Sequence, residues 1–279
     1  MGKRSIPALI IAIFIPIVGY LILRGVGENA VVFPKKYFFD TVVTKEVDGK
    51  LTTDTFWHKS ANFRLVNQLG DTVELYDIKG KPIVIDLFFT SCGSICPQLT
   101  KSMKKLQQSF AKGGNTREKI DSSVVQFISL SIDPERDSVP VLKHYADAYG
   151  VNPDNWWLLT GNRDSIYDYI FNELKIDKLE KVPISPEFPH TGRFVLLDKN
   201  YVVRGRLEQP YSGIAKDSAS LSVLARDIGL LFLEKDKKEK SKVASAIIDL
   251  SWLWLIALLL ISGFIWSFTQ RKKKEEKNT

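Results

Sequence analysis

Sulfur and imidazole are scarce in this chain: its 279 residues include two cysteines and three histidines. At most one internal disulfide can form, so the fold is not a disulfide-stapled scaffold. The sequence also lacks an internal repeat and a low-complexity core. Its 44% hydrophobic and 25% charged residues are those of a globular protein rather than a disordered one. The formal net charge of +7 does not come from a single basic helix or patch. Much of the positive charge lies at Lys3 and Arg4, in a lysine-rich run at 235–242 and in RKKK at 271–274, each beside a very apolar segment. Charge placed this way points to a membrane and away from nucleic acid.

The first apolar segment, IPALIIAIFIPIVGYLIL at 6–23, carries no charge and is about long enough to cross a bilayer core. Lys3 and Arg4 could open a signal peptide, but the run exceeds a usual h-region and no A-x-A-like site follows at LRGVGENA. An uncleaved anchor is therefore expected. Residues 244–268 give a second span, with Trp252, Trp254 and Trp266 suited to interfacial belts. The positive-inside rule then puts both basic ends in the cytoplasm; the lysine run at 235–242 is diluted by Glu234, Asp236 and Glu239. No mitochondrial-type presequence precedes the first span. The expected location is a bacterial cytoplasmic membrane, with the soluble domain on the extracytoplasmic (periplasmic) side and membrane lipid as a partner. The expected layout is an anchor at 1–24, a juxtamembrane segment at 25–57, a domain at 58–235, a charged linker at 236–243, a span at 244–268 and a basic tail at 269–279.

The central segment reads as an α/β domain. A hairpin is expected at DGK (48–50), and two short strands around LGD (69–71). KPIVIDLFF (81–89) and SSVVQFISLSID (122–133) are apolar enough for strands buried on both faces. Helical spacing follows the first of these, with Leu99, Met103, Leu106 and Phe110 on one stripe. A helix ending at Gly150, a strand at WWLLTG (156–161), a helix begun near Asn162 or Asp164, a hairpin turning at 198–200 and a closing helix at 218–235 complete the pattern.

Cys92 and Cys96 stand where the first buried strand passes into a helix, in FFTSCGSICPQLTKSM (88–103). A helix start at about Cys92 would put both thiols on one face, with Cα atoms about 6 Å apart, within disulfide range. Its unpaired N–H groups would favour a thiolate. The pair could be a structural disulfide, a redox couple or a site for one soft metal ion. A disulfide closing so short a loop stabilises little, and the carboxyl end of a buried strand is where α/β folds bind ligands. Asp133, Pro134 and Asp137 read as a turn before a helix. Their carboxylates serve either as capping and turn groups or as candidates for tuning a metal site or docking a partner.

FFTSCGSICPQLT, SLSIDPERDSVPVLKHYADAYG, WWLLTG and FPHTGRFVLLDKNYVVRGRL together resemble the SCO/SenC family of membrane-anchored copper proteins over roughly residues 58–233. The resemblance implies a thioredoxin-like fold and copper, as Cu(I) or Cu(II), held by Cys92, Cys96 and His190. It also implies a role in building the binuclear copper site of cytochrome c oxidase. The oxidase subunit carrying that site becomes the expected partner, together with a copper donor or a thiol reductase. Gly93 departs from the family pattern, in which proline commonly follows the first cysteine, and the C-terminal span departs from its single-anchor layout. The fold class expected is thus α/β, a thioredoxin-like domain between N-terminal and C-terminal transmembrane helices.

Two thiolates and an imidazole suit Cu(I), whereas a structural zinc site would usually take a fourth protein ligand. His58 and His144 read as exposed or packed rather than ligating, and Trp156 and Trp157 as core or interface aromatics. Two functions compete. One is a metallochaperone rather than an enzyme. The other is a membrane-anchored thiol–disulfide oxidoreductase acting on oxidase cysteines through redox-active Cys92 and Cys96. The C-x-x-x-C spacing with His190 favours the first; a thiol peroxidase lacks supporting residues.

Overall fold

A computed structural model describes residues 19–20, 32–47, 49–110, 124–179, 185, 189, 191–206, 211–213 and 218–234. The second apolar segment (244–268), nearly all of the first, and His190 lie outside these residues. Among the described residues, no helix is long and apolar enough to cross a membrane. The chain divides into Phe33–Leu233 and a second unit made of Met1–Val32 and Glu234–Thr279.

In chain order, Phe33–Leu233 contains β1 (Lys35–Lys36), β2 (Phe39–Val47), β3 (Lys50–Trp57), β4 (Arg64–Asn67), β5 (Thr72–Glu74) and β6 (Ile83–Phe88). Then come α1 (Cys96–Ser109), β7 (Gln126–Ser131), α2 (Val139–Tyr149), β8 (Trp156–Thr160) and α3 (Arg163–Asp168), which continues as a π turn over Tyr169–Glu173. Last are α4 (Ile176–Leu179), β9 (Arg193–Leu197), β10 (Val203–Gly205), β11 (Tyr211–Ser212) and α5 (Ser218–Leu233).

The two continuous apolar runs become β6 and β7, every residue of which is buried. A strand with no exposed residue needs neighbours on both edges and cover on both faces, and the sheet supplies them. Its order is β1-β10-β9-β6-β7-β8-β4-β5, with β11 added alongside β9. β6, β7 and β8 are parallel, while β9 runs antiparallel to β6. Ile83, Ile85 and Leu87 face one core, shared with Ile166 and Ile170. Val84 and Phe88 face the other, shared with Leu99 and Met103 of α1 and Leu224 and Ile228 of α5. Both faces of β6 are therefore covered.

Local signals account for several boundaries. Asn162 caps α3 through its side chain, which accepts from Ser165 N–H at 3.0 Å. Gly150 takes the left-handed conformation (φ 63°) that ends α2. Gly49 (φ 73°) lies between β2 and β3, which pair as a hairpin separate from the main sheet. Ahead of that hairpin, β1 pairs with β10, so the sheet reaches back to Lys35.

One expectation is corrected by the structure: α1 starts at Cys96, not near Cys92. Pro97 suits the first turn of a helix, and the bend at Gly93-Ser94-Ile95 separates Cys92 from it. The thiols therefore do not share a helical face.

Candidate metal centre

The chain leaves β6 at Phe88 and closes a turn in which Cys92 N–H donates to Phe89 C=O at 3.2 Å. It then bends into α1. Cys96, the first residue of that helix, donates its N–H to Cys92 Sγ at 3.4 Å. The helix start thus directs an N–H at Cys92, while Cys96 lies beneath it in the core. Cys92 is 8% exposed and Cys96 1% exposed, and both are free thiols. Ser94 Oγ lies 3.7 Å from Cys92 Sγ, and Ser91, Gly93 and Ser94 are exposed around it.

Burial pushes the Cys96 thiol up to about 12, helped by its hydrogen bond with Cys92 and the nearby charges of Cys92 and Asp86; the Phe89 N–H pulls the other way. The helix start was expected to favour a thiolate. At Cys96 desolvation outweighs it.

Asp86 was not anticipated. It sits in β6 between Val84 and Phe88, 1% exposed, and neither carboxylate oxygen has a partner at hydrogen-bond geometry. Burial pushes its carboxyl up to about 7, opposed by neighbouring Ser129 and its own backbone N–H. Ser129 faces it across the β6–β7 register and accepts from Trp156 Nε1 at 3.0 Å. The only sequence sign was a lone acid inside an otherwise apolar run.

Asp137 is fully buried and reaches back to the cysteine turn. It accepts from Thr90 N–H at 3.2 and 3.3 Å, from Thr90 Oγ1 at 2.5 Å and from Ser131 Oγ at 2.6 Å. The helix-capping reading therefore does not hold for its side chain, and Ser138, the residue at the α2 cap position, makes no side-chain cap bond either. Asp133 instead holds the turn through its backbone oxygen, which accepts from Arg136 and Asp137 N–H, while its partly buried carboxylate lies 3.6 Å from Arg136 Nη1.

Among the described residues, no group of three or more His, Cys, Asp or Glu forms a metal cluster. The segment beside His190 is described on its far side. Gly192 C=O accepts from Gly213 N–H at 2.8 Å, and Gly213 is packed against Leu99 of α1 and Phe194 of β9. His58 is held between Asp40 Oδ1 at 2.9 Å and Glu173 Oε2 at 3.4 Å, and His144 is exposed. Trp156 is in the core and Trp157 partly buried.

Comparison with known proteins matches residues 52–220 to the SCO1/SenC family. The SCO1 protein homolog of Bacillus subtilis (strain 168) is 32% identical over 181 residues, covering 63% of this chain and 89% of that one. Among solved structures, BsSco is a member of the Sco family of cytochrome c oxidase assembly proteins in which a disulfide switch has been identified. It is 30% identical, covers 65% of this chain and 98% of its own, and has a TM-score of 0.51. A SCO1/SenC family lipoprotein from Bacillus anthracis str. Ames is 28% identical over 63% of this chain and 95% of its own, with a TM-score of 0.50. The mixed α/β architecture, with β10-β9-β6-β7 at the centre of the sheet, is the thioredoxin-like fold of the Sco family. The chain belongs to the SCO1/SenC family.

Proposed function

We propose that this chain is a membrane-anchored copper chaperone. It binds one copper ion through Cys92, Cys96 and His190 and helps metallate the copper site of cytochrome c oxidase. The observation that carries this reading is the pair of free, buried thiols linked by the Cys96 N–H···Cys92 Sγ contact at the carboxyl end of β6. Two thiolates are soft donors, and with one imidazole they suit Cu(I) better than a harder ion. Metal binding displaces the thiol protons, so a ligand as reluctant to ionise as Cys96 exchanges a proton for copper. The Gly192–Gly213 bond and the packing of Gly213 on Leu99 support bringing the His190 segment towards α1. Family membership and the oxidase-assembly role of BsSco support the partner, and the lipoprotein relative supports attachment to a membrane. Attachment here is assigned to residues 6–23 and 244–268, with Phe33–Leu233 outside the cytoplasm.

The second reading, a thiol–disulfide oxidoreductase, is favoured by the same adjacency of thiols. In it, Cys92 and Cys96 pass two electrons and two protons to a substrate disulfide and become a disulfide themselves. His190→Ala separates the two. As a chaperone ligand, its loss leaves a two-coordinate dithiolate that keeps some Cu(I), loses most Cu(II) and lowers oxidase assembly in cells nearly as far as the double cysteine variant. Normal oxidase activity in cells whose variant binds copper poorly would overturn the chaperone reading in favour of the reductase.

A further inference from the structure

Asp137 carries a carboxylate into the core, 0% exposed, and no lysine or arginine pairs with it among the described residues. A buried charge is costly unless well provided with hydrogen bonds. Its donors are Thr90 N–H, Thr90 Oγ1 and Ser131 Oγ. Two of the three come from a residue 47 positions away in sequence, at the opposite βα connection. The fold thus joins the loop after β6 to the loop after β7 through one acid, at the sheet edge where α/β proteins act on ligands.

Thr90 lies inside the Phe89–Cys92 turn. With its N–H and its hydroxyl both held, the turn has little freedom to swing, and Cys92 Sγ is kept over Cys96 N–H. Cys96 does not depend on this clamp, because α1 holds it directly: Gln98 and Leu99 N–H both donate to Ile95 C=O, and Pro97 stiffens the first turn. The two sulfurs therefore have different supports, a helix for Cys96 and a hydrogen-bonded acid for Cys92.

We infer that Asp137 is the positioning residue of the dithiol: by clamping Thr90 it fixes Cys92 Sγ in the geometry that both copper capture and disulfide closure with Cys96 require. The copper part rests on the chaperone reading; the disulfide part does not. Among the described residues Asp133 makes no hydrogen bond to Thr90; its N–H donates to Ser131 Oγ at 3.2 Å and its carboxylate faces Arg136.

The test uses the full chain in detergent and the variants Asp137→Ala, Asp137→Asn and Thr90→Val. Asp137→Asn keeps the shape and one carbonyl acceptor, and Thr90→Val removes only the hydroxyl donor. For each folded variant, two quantities are measured: the dithiol–disulfide equilibrium of Cys92 and Cys96 in a defined thiol buffer, and the affinity for Cu(I) against a competing chelator. Removing a residue that orients a metal ligand typically weakens affinity by about 10- to 100-fold. That loss is expected for Asp137→Ala, together with an about tenfold shift of the disulfide equilibrium, corresponding to about 30 mV for a two-electron couple. Asp137→Asn and Thr90→Val should fall between it and wild type, and combining them should cost less than the sum of the two. A wild-type chain that binds no copper would sink the chaperone reading, while the disulfide equilibrium would still decide the role of Asp137. If Asp137→Ala does not fold, the two milder variants carry the test. Variants that lose thermal stability yet keep the wild-type equilibrium within about twofold would overturn the inference, because a merely structural acid moves only stability.

Discussion

Cys92 and Cys96 are chemically unequal although they are four residues apart. Cys96 is pushed up to about 12 and lies 1% exposed, so at pH 8 it holds almost no thiolate. Iodoacetamide, which attacks the thiolate, should therefore modify Cys92 well before Cys96 in the reduced, metal-free chain, as read by mass mapping; equal rates at the two sulfurs would contradict the burial argument. Asp86 gives a second expectation at this scale. Its carboxyl sits at about 7 in the folded chain, chiefly because burial disfavours its charge, but near 4 when unfolded. Between those values the folded state holds a proton that the unfolded state has released. Its contribution to stability thus falls as pH rises through that window and levels off above about 7, a total on the order of 4 kcal/mol. The reduced chain should melt at a lower temperature at pH 8 than at pH 5, and Asp86→Asn should narrow that gap. A gap unchanged by the substitution would show that another group causes it.

Elements with a strong local signal were legible in the sequence. β6 and β7 were visible as unbroken apolar runs, α1 by the spacing of Leu99, Met103 and Leu106, α2 by Gly150 and α3 by Asn162. β1 and β11 were not, because a two-residue strand has no period and its partner is distant: Lys35 pairs with Gly205 and Tyr211 with Phe194. Pro97, not the cysteine spacing, is the local marker for the start of α1. In the site, the thiols were evident, but the hold of Asp137 on Thr90 depends on where β7 lies beside β6, which sequence spacing does not encode. Gly213, the residue after β11, also carries a testable packing constraint. A Cβ on Gly213 would collide with Leu99 Cδ2 and come within 2.8 Å of Phe194. Gly213→Ala should then cost about 1–3 kcal/mol of stability as overpacking. Adding Leu99→Ala should cost less than that substitution alone costs in the wild-type background, since the new methyl partly fills the space vacated. Strict additivity in thermal unfolding would contradict the close approach of Gly213 to Leu99 of α1.

At the scale of the whole molecule, the expected arrangement is two spans, with Phe33–Leu233 outside the cytoplasm and both basic ends within it. A reporter active only outside the cytoplasm should work when inserted near Gly113 and fail when fused after Thr279, and the reverse pattern would overturn that topology. On the chaperone reading, the paired thiols at the end of β6 hold copper. The most direct measurement is the copper content of the purified, reduced full chain by elemental analysis, beside Cys92→Ser and Cys96→Ser. The expected result is one copper per wild-type chain and its loss in either variant; equal copper in wild type and Cys96→Ser would contradict the claim.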